Sequence, residues 1–173
     1  MKRSIAILPL LLFTISLATI LVAADREPDP TGAQARFVGT WELVSIQSRG
    51  SDGEWGPYQG RFGPNAVGMA IFSASGYMSG QIMDPDRPTF SPDDLSQLTV
   101  EELRAILEGY TAYYGTYEVN EREGFVIHKR LGHLNPNRVV IEAKRFFEFA
   151  GDELTLTVAP TRDLRFTWRR VGS

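Results

Sequence analysis

The chain has 173 residues, of which 43% are hydrophobic and 23% charged, with a formal net charge of −3 and no cysteine. This length fits one domain with one hydrophobic core. The lack of cysteine excludes disulfides and lipid-modified cysteines. The acidic balance argues against a nucleic-acid binder, which needs a basic surface.

The N-terminus has the pattern of a secretory signal. Lys2 and Arg3 precede an apolar run over residues 5–24, which ends in the small residues Val22-Ala23-Ala24. This predicts a signal peptide over residues 1–24. The alternative is a retained anchor, since about 18 to 20 apolar residues can span a bilayer. Pro9 and the small residues favour cleavage, so we expect a periplasmic or secreted protein without stable membrane insertion.

Residues 25–35 predict a flexible linker, because they hold two prolines and no apolar residue larger than alanine. The domain is then expected over residues 36–173. Its first strand is predicted at Phe37–Gln47, with Trp41, Leu43 and Ser45 on one face.

A segment rich in glycine and proline comes next, over residues 49–68. Its aromatic residues Trp55, Tyr58 and Phe62 either pack beneath a long loop or form a lid over a barrel mouth.

The remaining elements are mostly strands. One helix is predicted, because Thr99 and Glu102 match a capping box and an apolar stripe continues to Gly109. Ser91-Pro92 predicts a short turn before it. The predicted hairpins pair residues 67–73 with 77–83, 110–119 with 125–131, and 139–150 with 153–159, and a last strand covers 164–171.

The pattern therefore predicts an all-β fold, a small antiparallel β-barrel of about eight to ten strands with one short helix. Closure would remove exposed strand edges. Charge is uneven along the chain, because residues 25–127 contain 7 Lys and Arg against 16 Asp and Glu, whereas residues 128–173 contain 9 against 5. The basic C-terminal third indicates either solvated outer faces of strands or an arginine inside the barrel that meets an anionic head group.

The ordered set of motifs resembles the bacterial lipocalin-like domain proteins, small barrels related in plan to the lipocalins. The matching stretches are residues 37–45, 76–79, 109–117, His128, 134–137 and 166–170. The resemblance implies a lipocalin-like barrel. It implies no reaction, because that plan serves carriers and a few enzymes.

In lipocalins, the tryptophan of Gly-x-Trp closes one barrel end beneath an arginine of the last strand. The resemblance gives these roles to Trp41 and Arg170. Alternation places Leu164, Phe166, Trp168 and Arg170 on one face, which allows a cation–π contact with Trp41. Arg165 and Arg169 are then expected to face solvent.

The candidate ligand-binding residues are polar groups on the predicted strands. They are Tyr77, Tyr113, Tyr117, His128 and Arg130. Polar groups inside an apolar barrel give specificity, since their burial is costly without a partner. The sequence leaves open which face of the hairpin over residues 110–131 points inward. The residues that alternate with His128 are apolar apart from Lys129, and this argues against an inward His128. The alternative interpretation is a histidine that is half-exposed on the sheet surface.

Other chemistry has little support. His128 and His133 are five residues apart, so on a regular strand they face opposite sides, and only a bulge at Gly132 would align them into part of a metal site. No nucleophile elbow or phosphate-binding loop is present. We therefore expect no metal and no cofactor.

The sequence favours an exported barrel that binds a small apolar or amphipathic molecule. One alternative is an isomerase or cyclase that uses His128 with a tyrosine for proton transfer. A second is an envelope interaction module that works through Trp55, Tyr58 and Phe62.

Overall fold

The computed structural model describes residues 31–90 and 95–172. The predicted signal peptide, residues 25–30 of the linker and the turn at Ser91-Pro92 lie outside them. None of the helices in this described part is long and apolar enough to cross a membrane. The described residues form nine strands and two α-helices: β1 (Gly39–Arg49), β2 (Trp55–Pro57), β3 (Val67–Phe72), β4 (Tyr77–Met83), β5 (Tyr110–Asn120), β6 (Phe125–His133), β7 (Glu142–Ala150), β8 (Glu153–Val158), β9 (Leu164–Arg170), α1 (Gly32–Phe37) and α2 (Val100–Glu108).

The strands form a closed antiparallel barrel. From β3 to β9 each strand pairs with its neighbour in the chain, and β1 pairs with both β3 and β9. The short β2 adds to the far end of β1, where Arg49 lies opposite Trp55. Eight strands therefore close the cylinder with no free edge. The predicted all-β barrel is confirmed.

The first strand contains a bulge that the alternation did not predict. Trp41 and Leu43 are buried as expected, but the pairing with β9 shifts between Leu43 and Ser45. Val44 is the extra residue and is exposed. The bulge reverses the alternation, so Ile46 and not Ser45 continues the buried face.

The chain is ordered before the predicted start of the domain. Residues Gly32–Phe37 form α1, where a linker was expected up to residue 35. The backbone N–H of Ala33 donates to the Glu121 carboxylate at 3.1 Å. Phe37, at the end of α1, is fully buried. The helix therefore belongs to the domain.

One end of the barrel is filled by aromatic rings. Phe37 makes edge-to-face contacts with Phe72, Phe147 and Phe149, with ring centres 5.1 to 5.3 Å apart. The Trp41 indole donates to the Phe37 carbonyl at 2.8 Å. This aromatic plug leaves the opposite end of the barrel as the place for a cavity.

The second helix has the predicted cap. The Thr99 hydroxyl accepts from the Glu102 N–H and the Glu102 carboxylate accepts from the Thr99 N–H, which confirms the capping box. Helix α2 ends at Glu108 and has no buried residue. It therefore contributes little to the core.

Candidate ligand-binding site

The barrel interior opens into a cavity of about 310 Å³. On β9, Leu164, Phe166 and Trp168 line it, whereas the last residue, Arg170, reaches Trp41 at the plugged end. Leu156 and Val158 of β8 extend the apolar wall. The cavity thus occupies the barrel end opposite the plug.

His128 lines the cavity. It is 2% exposed, and the Tyr113 hydroxyl hydrogen-bonds to its Nδ1 at 3.3 Å. Burial, and then the positive charges of Arg145 and Arg130, lower the pKa of His128 from 6.5 to about 3. The imidazole is therefore neutral, and its Nε2 has no hydrogen-bond partner among the described residues.

The inward position of His128 corrects the argument from apolar content. Val126, His128 and Arg130 are the buried positions of β6. On the outer surface, Phe125 is covered by the Lys144 ammonium, 3.7 Å from its ring centre. Because this cation covers the outward Phe125 ring, apolar content alone does not identify the inner face of β6.

Four arginines line the cavity at two depths. Arg130 is 8% exposed and Arg145 is half-buried, so these two form the deep pair. Arg61 and Arg138 are more exposed and form the rim pair. The lining residues include no aspartate or glutamate. The cavity is therefore strongly positive.

The deep arginines have few partners. The Arg130 guanidinium lies 5.0 Å from the Tyr113 ring centre, and its Nε has no hydrogen-bond partner among the described residues. Arg145 donates to the Lys144 carbonyl at 3.0 Å. Burial lowers the pKa of both arginines, and the charge of Arg145 lowers that of Arg130 further. Within the described chain, neither forms an ion pair with a carboxylate.

His133 also faces the cavity, contrary to the expectation from regular alternation. Tyr114 pairs with Gly132 but Gly115 pairs with Arg130, so Leu131 is an extra residue in β6. This bulge turns His133 to the inner side, where it stacks on Tyr113 with ring centres 5.9 Å apart. Burial, and then the nearby arginines, lower its pKa. In the part of the chain that the structure describes, no three potential metal ligands cluster.

The long loop between β1 and β3 covers part of the cavity. Tyr58, Arg61 and Phe62 line it, and Phe62 is 5% exposed within the core. Trp55 lies apart, with the guanidinium groups of Arg49 and Arg165 at 4.8 and 4.3 Å from its ring centre. The loop aromatics therefore pack on the barrel, and Tyr58 and Phe62 do not form an outward surface for a partner.

Arg165 is also half-buried, although solvent exposure was expected for it.

Two of the five candidate ligand residues lie away from the cavity. Tyr117 is buried, but its hydroxyl donates to the Ser73 carbonyl at 2.9 Å and its ring packs on Phe72 in the plug. Tyr77 is 56% exposed on the outer surface. Alternation gives the face of a strand but not the depth along it, so Tyr117 shares a face with Tyr113 at the other end. Tyr113, His128 and Arg130 line the cavity together.

Three cavity arginines were not predicted, namely Arg61, Arg138 and Arg145. Arg145 had a sequence signal, because it is the only charged residue on the face that holds Ala143, Phe147 and Phe149. Arg61 belongs to an irregular loop and Arg138 to the short turn Pro136–Arg138, where no periodicity indicates direction.

Two solved structures are similar in part: a mutant of the fluorescent protein UnaG and a Schistosoma mansoni fatty acid binding protein in complex with arachidonic acid. The first is 13% identical and the second 14%, each with a TM-score of 0.37, and the matches cover 80% and 82% of this chain and 98% and 100% of the other. No curated protein matches the sequence. A family model described as a lipocalin-like domain matches residues 38–171. The chain therefore belongs to the lipocalin-like domain family.

Proposed function

We propose that the protein binds a small anionic amphipathic molecule inside the barrel. Its acidic group meets the deep arginines Arg130 and Arg145, and its apolar part packs on Leu156, Phe166 and Trp168. The observation that carries this proposal is the set of cavity arginines without an acidic residue in the lining.

An anion would compensate the cost of this arrangement. A buried charge is costly unless it is paired and hydrogen-bonded. Arginine offers a planar fork of donors that matches a carboxylate or a phosphate, and bonds between ions are stronger than neutral ones. The Arg130 Nε–H is buried without an acceptor among the described residues. A bound acid would supply one.

The size of the cavity favours a small ligand. Its volume of about 310 Å³ is at the low end of ligand sites, which span roughly 300 to 1,000 Å³. Apolar residues from β8 and β9 face the arginines across this space. A cavity with arginines on one side and apolar residues on the other suits a molecule with one acidic end and one short apolar end.

The geometry supports binding better than an isomerase or cyclase. A general base works best when its pKa lies near the working pH. The pKa of His128 is about 3, so the imidazole is a weak proton acceptor at neutral pH. We therefore assign His128 and Tyr113 to ligand contact.

Export is part of the proposal and rests on the N-terminal sequence. Lys2, Arg3 and the apolar run before Asp25 have the pattern of a secretory signal. N-terminal sequencing of protein recovered outside the cytoplasm is expected to begin at Asp25. A retained Met1 would contradict cleavage.

Isothermal titration calorimetry with three ligands of equal chain length tests binding. Decanoate is expected to bind at least tenfold more tightly than decanol, and decyltrimethylammonium is expected not to bind. Arg130→Gln should weaken decanoate by tenfold or more. Arg122→Gln, on the exposed turn between β5 and β6, is the control that should leave it unchanged. Equal binding of decanol and decanoate would contradict the proposal.

A further inference from the structure

We propose that the ligand carries a dianionic group with three terminal oxygens, such as a phosphate monoester, and not a single carboxylate. This inference rests on the proposed function and adds the chemical class of the head group. It follows from the number of cavity arginines and from their positions at two depths.

The arginines form a continuous series from the interior to the rim. The charge of Arg145 lowers the pKa of Arg130, and so does the charge of Arg138. Arg138 in turn lowers the pKa of Arg61. Each arginine therefore lies within electrostatic reach of the next. An anion placed among them interacts with both the deep pair and the rim pair.

His133 is also affected by arginines of both pairs. It lies on the inner side of β6 because of the bulge at Leu131. After burial, the charges of Arg130, Arg138 and Arg61 are the causes that lower its pKa. Arg130 belongs to the deep pair and the other two to the rim pair. The charges of both pairs therefore act on His133, in addition to its burial.

A single carboxylate cannot compensate the charges of all four cavity arginines. It has two oxygens and one negative charge, which one guanidinium fork can already occupy. With Arg130 and Arg145 around it, the charges of Arg61 and Arg138 would stay uncompensated. No carboxylate of the described chain pairs with them.

A phosphate monoester matches the arrangement better. It carries about −1.5 to −2 charges at pH 7 and three strong acceptor oxygens. Two of these oxygens can accept from the deep pair while the third faces the rim pair. The ester chain is then directed to the apolar wall at Leu156 and Phe166.

Calorimetry at pH 7.5 with decyl phosphate, decyl sulfate and decanoate tests the inference. Decyl phosphate is expected to bind at least tenfold more tightly than decanoate. Decyl sulfate has the tetrahedral shape with one charge, and is expected to bind like decanoate. Decyl sulfate binding as tightly as decyl phosphate would overturn the requirement for a dianion.

Variants of the rim pair give a second readout. Arg61→Gln and Arg138→Gln should each weaken decyl phosphate by fivefold or more and decanoate by less than twofold. Arg122→Gln should change neither. Equal losses for both ligands would overturn the role of the rim pair, because they would indicate a general effect on the barrel.

The outcomes separate this inference from the proposed function. Equal affinity for decyl phosphate and decanoate overturns the inference and leaves the proposed function standing. Failure of both ligands to bind overturns both. Inorganic phosphate alone is expected to bind at least a hundredfold more weakly than decyl phosphate. If it binds equally well, the apolar wall takes no part, which contradicts an amphipathic ligand.

Discussion

The Arg170 guanidinium lies 4.2 Å from the centre of the Trp41 ring. Arg170 also donates to the carbonyls of Val38 at 2.6 Å and of Arg36 at 2.5 Å. One side chain of the last strand thus holds the first strand and the end of helix α1. The contact was expected from the resemblance, and the two backbone hydrogen bonds add a tie to α1.

Loss of Arg170 is expected to destabilise the plug without affecting the cavity. A cation–π contact contributes about 0.5 to 2 kcal/mol and a hydrogen bond about 1 kcal/mol. Arg170→Ala loses one such contact and two hydrogen bonds, and should therefore lower the free energy of unfolding by roughly 2.5 to 4 kcal/mol, as measured by urea denaturation. Decanoate affinity should be unchanged. Arg169→Ala, on the outer surface, is the control with a smaller loss, and an unchanged stability of Arg170→Ala would exclude the closing role.

Removal of a deep arginine is expected to stabilise the unliganded protein. The burial of Arg145 is costly, and its charge lowers the pKa of the neighbouring Arg130. Replacement of even a paired buried charge by apolar residues of similar volume is often neutral or gains about 1 to 4 kcal/mol, and Arg145 has no carboxylate partner in the described chain. Arg145→Met should raise the melting temperature by about 2 °C or more in calorimetric scans, while decanoate binding falls. A lower melting temperature would indicate that Arg145 serves the fold.

Acid is expected to destabilise the fold through His128. The pKa of His128 is about 3 in the folded protein and 6.5 in the reference state. Since the unfolded chain binds the proton more tightly, stability falls as the pH drops from 6.5 toward 3. His128 alone should cost about 2 kcal/mol between pH 7.5 and pH 5.

Denaturation at these two pH values checks that loss. His128→Phe removes the titrating group and should lose correspondingly less stability over the same interval. An identical pH dependence in the wild type and His128→Phe would show that other groups cause the loss.

Two tyrosines on one face of β5 are expected to respond differently to loss of the hydroxyl. Tyr117→Phe should lower the free energy of unfolding by about 1 kcal/mol, because the bond to the Ser73 carbonyl is lost. Its decanoate affinity should be that of the wild type. Tyr113→Phe loses the bond to the buried His128 Nδ1, so it should cost stability of about the same size, but unlike Tyr117→Phe it should also weaken decanoate several-fold. The reverse result would place the ligand at the plugged end.

The sequence predicted the barrel because strand alternation and turns are local properties. The hairpins and the capping box of Thr99 and Glu102 depend on spacing along the chain. Closure pairs β1 with β9 and was expected instead from the removal of free edges and from the resemblance. Two single-residue bulges could not be predicted this way. Val44 and Leu131 each add one residue to a strand, and each reverses the face of the residues after it.

The candidate site was harder to predict because it depends on depth and on loops. Tyr113 and Tyr117 share a face, yet only the first lines the cavity. The face of His128 was left open, because the apolar residues that alternate with it argued against an inward position, and the structure places it inward. Arg145 could have been recognised from the sequence, because it is the one arginine among apolar residues on its face of β7. Arg61 and Arg138 could not, since neither is in a regular strand.

A crystal structure of the protein with decanoate tests the central claim most directly. We predict the ligand inside the barrel, with its carboxylate within hydrogen-bond distance of Arg130 and Arg145 and its chain against Phe166 and Trp168. A carboxylate in solvent beyond the rim, or a ligand on the outer surface, would contradict binding in the barrel.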